Sequence, residues 1–137
     1  MCMGNRRERK YGNKKYRAEM KSISIIVPCF NEEGNIEQLC KRITEMTTQL
    51  PQYSWNTLFV DDGSSDHTID KIKAEREKNS MFALIALSRN FGKEAAILAG
   101  IDNVCCDCAI IMDADLQHPV DAIPLMIGKG EKGYDDV

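Results

Sequence analysis

The 137-residue chain contains no apolar run approaching the ~18 residues that a membrane-spanning helix needs, so it does not itself cross a bilayer. No apolar stretch follows the basic N-terminus, which excludes a secretory signal. Neither G-x-x-x-x-G-K-[ST] nor G-x-G-x-x-G occurs, and the P-loop and dinucleotide-binding readings fall with them. Histidine is scarce. His67 and His118 have no serine or cysteine partner pattern, and neither is assigned to catalysis. Cys105 and Cys108 form a C-x-x-C, but no second ligand pair accompanies it for zinc. The pair also falls before a strand, not at a helix N-terminus where a redox thiolate is stabilised. With no signal peptide, Cys2, Cys29, Cys40, Cys105, Cys106 and Cys108 read as reduced thiols of a cytoplasmic protein.

Positive charge is lacking over most of the chain. Residues 1–21 carry eight Lys/Arg against Glu8 and Glu19, whereas the remainder carries ten basic and nineteen acidic side chains. An acidic body argues against a nucleic-acid partner, which would need a basic folded face. Residues 1–21 have almost no aliphatic side chains and read as a basic flexible tail. A polybasic segment lying on an anionic membrane surface is the alternative for this tail.

From residue 22 onward, strands alternate with helices. Residues 22–27 (SISIIV) form an apolar run that Pro28 should stop, and Asn35 can cap a helix with Ile36, Leu39, Cys40, Ile43, Met46 and Leu50 on one face. Residues 56–61 give a second strand, and Ser65 or Asp66 can cap a helix that places Ile69, Ile72 and Ala74 inward. Residues 83–87 give a third strand. The next helix, 93–104, is expected to pack Ala95, Ala96, Leu98, Ala99 and Ile101. Residues 109–112 give a fourth strand, and Pro119 opens a helix to about Lys129. This order predicts a parallel sheet with helices on both faces, whose ligands bind beyond the carboxyl ends of the strands.

The polar residues concentrate at those ends: Asn31-Glu32-Glu33, then 61-DDGSSD-66, then Arg89, Asn90 and Lys93, then Asp113 and Asp115. Two residues i and i+2 in extended chain point the same way, roughly 6.5 Å apart. Asp113 and Asp115 can therefore face one ligand, and two such carboxylates repel unless a cation lies between them. Oxygen ligands favour Mg2+ or Mn2+ shared with a diphosphate, and Gln117 offers a third oxygen. Lys93 opens a helix, where the macrodipole disfavours a cation unless an anion is near. These motifs also have plainer readings. Paired acids are often solvated, and 61-DDGSSD-66 can be a turn and helix cap. An aspartyl-nucleophile phosphatase also uses D-x-D at a strand end, but after the first strand.

Four stretches, 26-IVPCFNEEGNI-36, 60-VDDGSSDHT-68, 88-SRNFGKEAAILAGID-102 and 112-MDADLQHP-119, together resemble the family 2 inverting glycosyltransferases of GT-A fold. The spelling D-A-D-L-Q-H-P is similar to the polyprenyl-phosphate branch, which includes dolichol-phosphate mannose synthases and undecaprenyl-phosphate sugar transferases. Soluble members more often have an acid where Leu116 stands. The resemblance covers residues 22–137 and implies the nucleotide-sugar-binding part of a GT-A domain, truncated after about four βα units. It implies that Pro28, Phe30 and Glu32 line a nucleoside pocket, with Asp62 on the base. Asp113 and Ala114 would sit by the ribose and diphosphate, and Lys93 near the phosphates. Asp115 and Gln117 would hold the metal, with Asp113 as a further ligand. The implied reaction moves a sugar from a UDP- or GDP-sugar donor to a polyprenyl phosphate, the catalytic base lying beyond Val137, at the inner face of the membrane in a longer protein. The alternatives are a catalytically incomplete nucleotide-sugar-binding fragment, a soluble family 2 transferase with a saccharide acceptor, and a nucleotidyltransferase on a similar sheet.

Overall fold

The computed structural model describes residues 21–115. The basic tail, Gln117, His118 and the expected helix from Pro119 lie outside the described residues.

Seven elements follow in strict alternation: β1 (Lys21–Cys29), α1 (Ile36–Thr48), β2 (Tyr53–Asp61), α2 (Thr68–Lys78), β3 (Phe82–Ala86), α3 (Lys93–Asp102) and β4 (Cys108–Ile111). The four strands make one parallel sheet in the order β3-β2-β1-β4. The order reverses between β1 and β4, after β3, and such a switch point opens a crevice at the carboxyl edge.

Strand parity sorts the apolar runs between two faces. Ile23, Ile25 and Val27 of β1, Phe59 of β2 and Ile110 of β4 pack with α1 and α2, where Ile36, Leu39, Ile43 and Ile72 are fully buried. Ile26, Leu58, Val60 and Ala109 face the other way, against α3 and its Ala96. At roughly 25 cal/mol per Å2 of apolar surface buried, these two layers supply the main favourable term in folding.

The structure adjusts several expectations. β1 continues through Pro28 and Cys29 and does not stop at the proline. Pro28 has the parity of Ile26, whose carbonyl accepts from Met112 on the β4 side. β4 ends its pairing at Ile26↔Ile111, so the missing N–H withdraws no ladder bond. Asn35 does precede α1 but makes no side-chain cap, its Nδ2 donating instead to Glu32 Oε1 at 2.9 Å. Ala74 is exposed and only Thr68 and Ile72 of α2 are buried. Leu98, expected inside, is 60% exposed, and α3 approaches the sheet through Ala96 and Gly100. A Cβ on Gly100 would meet Ile26 Cγ2 at 2.6 Å, so glycine sets how closely this helix lies on β1.

Candidate active site at the sheet edge

The first two loops at the carboxyl edge are tied together by Asn31. It adopts φ 53°, a left-handed conformation that asparagine tolerates better than most residues. In that geometry its backbone N–H donates to Ser64 Oγ at 2.8 Å, and its Oδ1 accepts from the Ser65 amide at 2.9 Å. Asp66 completes the joint by accepting from the Glu33 amide at 3.3 Å and the Thr68 amide at 2.9 Å. Burial pushes the Asp66 carboxyl up, but these amides and the Thr68 hydroxyl together outweigh it and hold the group below its ordinary range.

The two aspartates that end β2 diverge because neighbouring residues point to opposite faces. Asp61 is fully buried and accepts from the Ser64 amide at 2.9 Å and the Ser64 hydroxyl at 2.5 Å. Asp62, 4% exposed, turns to the α3 side and clamps the β3–α3 loop. Its Oδ1 accepts from the Phe91 amide at 2.7 Å and its Oδ2 from the Gly92 amide at 3.0 Å. Gly63, at φ 80°, lies under the same loop, where an added Cβ would come within 2.5 Å of the Arg89 and Asn90 backbone. Gly92, at φ 104°, turns the chain into α3. Lys93 therefore starts α3 from a loop anchored to β2. Its Nζ reaches Asp113 Oδ1 at 2.5 Å, joining the third loop to the fourth.

A cleft of about 230 Å3 opens between these loops. Pro28, Phe30 and Glu32 line it from β1 and its loop, and Asp62 from the turn after β2. Lys93 lines it from α3, and Asp113, Ala114 and Asp115 from the end of β4. The eight residues singled out for substrate binding thus surround one space, and both acids of the D-x-D share it. Gln117, the expected third oxygen, lies outside the described residues. The volume is below the roughly 300–1,000 Å3 of a typical small-molecule pocket.

Sequence reasoning missed Cys29 as a lining residue, along with the Asn31 joint and the Asp62 clamp. Cys29 donates weakly to Val60 O at 3.7 Å. Burial, then the nearby Asp61 and Glu32, push its thiol far above the ordinary range, so it is an inert wall. The C-x-x-C cysteines are apart from the cleft, at the opposite end of β4, with Cys105 exposed. Among the described residues, no group of three or more His, Cys, Asp or Glu forms a metal cage, and no helix is long and apolar enough to cross a membrane.

The fold and the placement of its polar edge define a GT-A-type α/β domain. Solved structures of that shape include a mannosyltransferase from Pyrobaculum calidifontis in complex with GDP-Man and Mn2+ (TM-score 0.63, 24% identity, 73% of this chain and 29% of that one). Another is glucosyl-3-phosphoglycerate synthase from Mycobacterium tuberculosis with Mn2+, UDP and glucosyl-3-phosphoglycerate (TM-score 0.64, 22% identity, 83% of this chain and 40% of that one). The chain belongs to glycosyl transferase family 2, whose family model matches residues 24–137. Its curated relatives include the undecaprenyl-phosphate 4-deoxy-4-formamido-L-arabinose transferases of Salmonella choleraesuis (strain SC-B67) and Salmonella newport (strain SL254). Each is 39% identical over 121 residues, covering 88% of this chain and 37% of the relative. The chain thus spans 37% of the length of these relatives.

Proposed function

We propose that this chain is the donor-binding part of a glycosyltransferase that moves a sugar from a UDP- or GDP-sugar to a polyprenyl phosphate. The observation that carries this reading is the convergence of four loops on one cleft, where Asp113 and Asp115 face the same space as Lys93. Family membership and the names of the relatives support the reaction type and the lipid-phosphate acceptor.

Pro28 and Phe30 offer an apolar wall against which a base can lie, Phe30 being 45% exposed at the mouth. Glu32 and Asp62 offer acceptors for base or ribose donors, although Asp62 already accepts two amides and has only its remaining lone pairs to give. Lys93 is the cation for the donor phosphates. In the reaction, a phosphate oxygen of the acceptor attacks the anomeric carbon as the bond to the diphosphate breaks. Inversion follows, and the nucleoside diphosphate leaves with the bonding pair. The acceptor arrives as an anion, so the cleft must offset negative charge on both reactants.

The donor set fits a divalent ion of the Mg2+ or Mn2+ kind. Asp113 and Asp115 are hard oxygen ligands, too few for a closed cage, and such ions complete their sphere with substrate phosphates. Asp113 already stabilises a positive charge, that of Lys93, at 2.5 Å. When bound, the ion would act as a Lewis acid on the departing diphosphate. Asp115 and Gln117, with Asp113, are the residues proposed to hold it. In this reading the working protein acts at the inner face of the membrane, and the lipid phosphate in the relatives' names supports a membrane location.

Calorimetric titration of the chain with UDP, GDP and their sugars, with and without Mn2+, tests the proposal. Saturable binding that needs the metal and is lost in Asp115→Asn is the expected result. Absence of binding by every nucleotide in the presence of Mn2+ would overturn it. Binding without turnover of polyprenyl phosphate would favour the incomplete-fragment alternative.

A further inference from the structure

The pairing of Lys93 with Asp113 bears on how the cleft is loaded. Lys93 occupies the first turn of α3, where the helix dipole disfavours a cation. Its ammonium nevertheless turns toward the end of β4 and contacts Asp113 Oδ1 at 2.5 Å. The lysine side chain is 59% exposed and the aspartate side chain 22% exposed, so the pair is formed at the mouth of the cleft. The backbone beneath it is fixed, because Asp62 holds the Phe91 and Gly92 amides immediately before Lys93. The Lys93 ammonium, on an anchored backbone, thus occupies a carboxylate that the proposed metal would need.

We infer that Lys93 is a resident counter-cation for Asp113, displaced when metal and nucleotide enter together. This rests on the functional reading above and extends it to the order and coupling of binding. A divalent ion arriving alone must compete with Lys93 for Asp113, and the displaced ammonium then has only the acids already lining the cleft, with no phosphate anion to take it. A nucleoside diphosphate arriving with the ion supplies that anion. Lys93 moves from carboxylate to phosphate while the ion takes the carboxylates, and each ligand raises the affinity of the other. Linkage makes this coupling reciprocal.

The test measures Mn2+ binding to the full chain by the loss of the free-ion electron paramagnetic resonance signal, alone and with saturating UDP or GDP. In Lys93→Gln, affinity for Mn2+ alone should rise about threefold to fivefold, the size of a partly exposed ion pair. Its enhancement by nucleotide should shrink. Lys93→Arg should behave like the unaltered chain. Arg89→Gln removes a charge that stacks on Phe91 at 4.0 Å and not on Asp113, so it should leave Mn2+ affinity unchanged. An unaltered Mn2+ affinity in Lys93→Gln, with metal-dependent nucleotide binding intact in the parent chain, would reject this inference alone. An equal rise in Arg89→Gln would assign the effect to net charge and also reject it. No nucleotide binding by the parent chain with Mn2+ would reject the functional reading beneath it.

Discussion

Asp62 is the acid whose removal should matter most to the architecture of the edge. Its carboxylate accepts from the amides of Phe91 and Gly92, 29 and 30 residues away, at 2.7 and 3.0 Å. Hydrogen bonds to a charged acceptor contribute roughly 1.5–3 kcal/mol each. Phe91 is exposed and Gly92 only half-buried, so water can partly replace the lost acceptor. The two bonds together should then be worth about 2–4 kcal/mol after that discount. Asp62→Ala loses both. Asp62→Asn keeps the shape but turns an N–H2 toward one amide, leaving donor against donor, and should lose about 1–3 kcal/mol. Urea unfolding followed by far-ultraviolet circular dichroism reads the loss as a lowered midpoint. For a domain with m of about 2 kcal/mol/M, the alanine variant should shift by about 1–2 M, with m unchanged. Amide exchange gives the local readout, since Phe91 and Gly92 should exchange faster while the amides of β1 do not. A change within about 0.5 kcal/mol, the range of an ordinary surface substitution, would refute the clamp. So would unchanged exchange at those two amides.

Three smaller perturbations test other joints. Gly100→Ala gains about 1 kcal/mol of helix propensity but drives a methyl into Ile26, an overpacking cost of about 1–3 kcal/mol. The contact at 2.6 Å involves a stiff β-branched side chain, so a net fall of several degrees in Tm is expected, and an equal or higher Tm would contradict it. Thr57 Oγ1 is buried without a hydrogen-bond partner among the described residues, so Thr57→Val should raise stability by about 1 kcal/mol, whereas a loss in urea unfolding would reveal a hidden partner. Asp66 has a depressed pKa in the folded chain, so its contribution is complete above the ordinary aspartate range and is lost as pH falls through the folded value. Asp66→Asn should therefore flatten the acid limb of the stability profile, and an unchanged acid limb would place the lost protons elsewhere.

The alternation of strands and helices was legible because each apolar run is short, ended by polar residues and followed by a helical period. The edge location of the acids followed directly from that order. Less could be read where the pattern is ambiguous. α3 is apolar nearly all round, so its periodicity does not choose between Leu98 and Gly100 for the sheet-facing side. Close backbone approach decides it, and only a glycine permits the 2.6 Å geometry against Ile26. Pro28 reads locally as a terminator, but its tolerance depends on which neighbour its nitrogen faces and where β4 stops pairing. The Asp62 clamp joins residues that a linear pattern cannot connect. Asn31 was visible as a polar loop residue, but its left-handed backbone and its bonds to Ser64 and Ser65 were not.

The same long-range contacts change the charge that a ligand would meet. By sequence, the edge holds Glu32, Asp61, Asp62, Asp66, Asp113 and Asp115, a field that should repel any diphosphate. The structure consumes much of it internally. Asp61 is buried against Ser64, Asp66 accepts from Thr68 and Glu33, and Asp62 is shared between two amides. Glu32 is partly used by Asn35. What faces the cleft from β4 is a pair of carboxylates with one lysine against the first of them. In the functional reading proposed above, a diphosphate would add negative charge beside two acids and one ammonium, and at about 4 Å a like charge costs several kcal/mol in a partly shielded site. In that reading a divalent ion would supply further positive charge there. The acids of the second loop build the frame, and those of the fourth line the cleft.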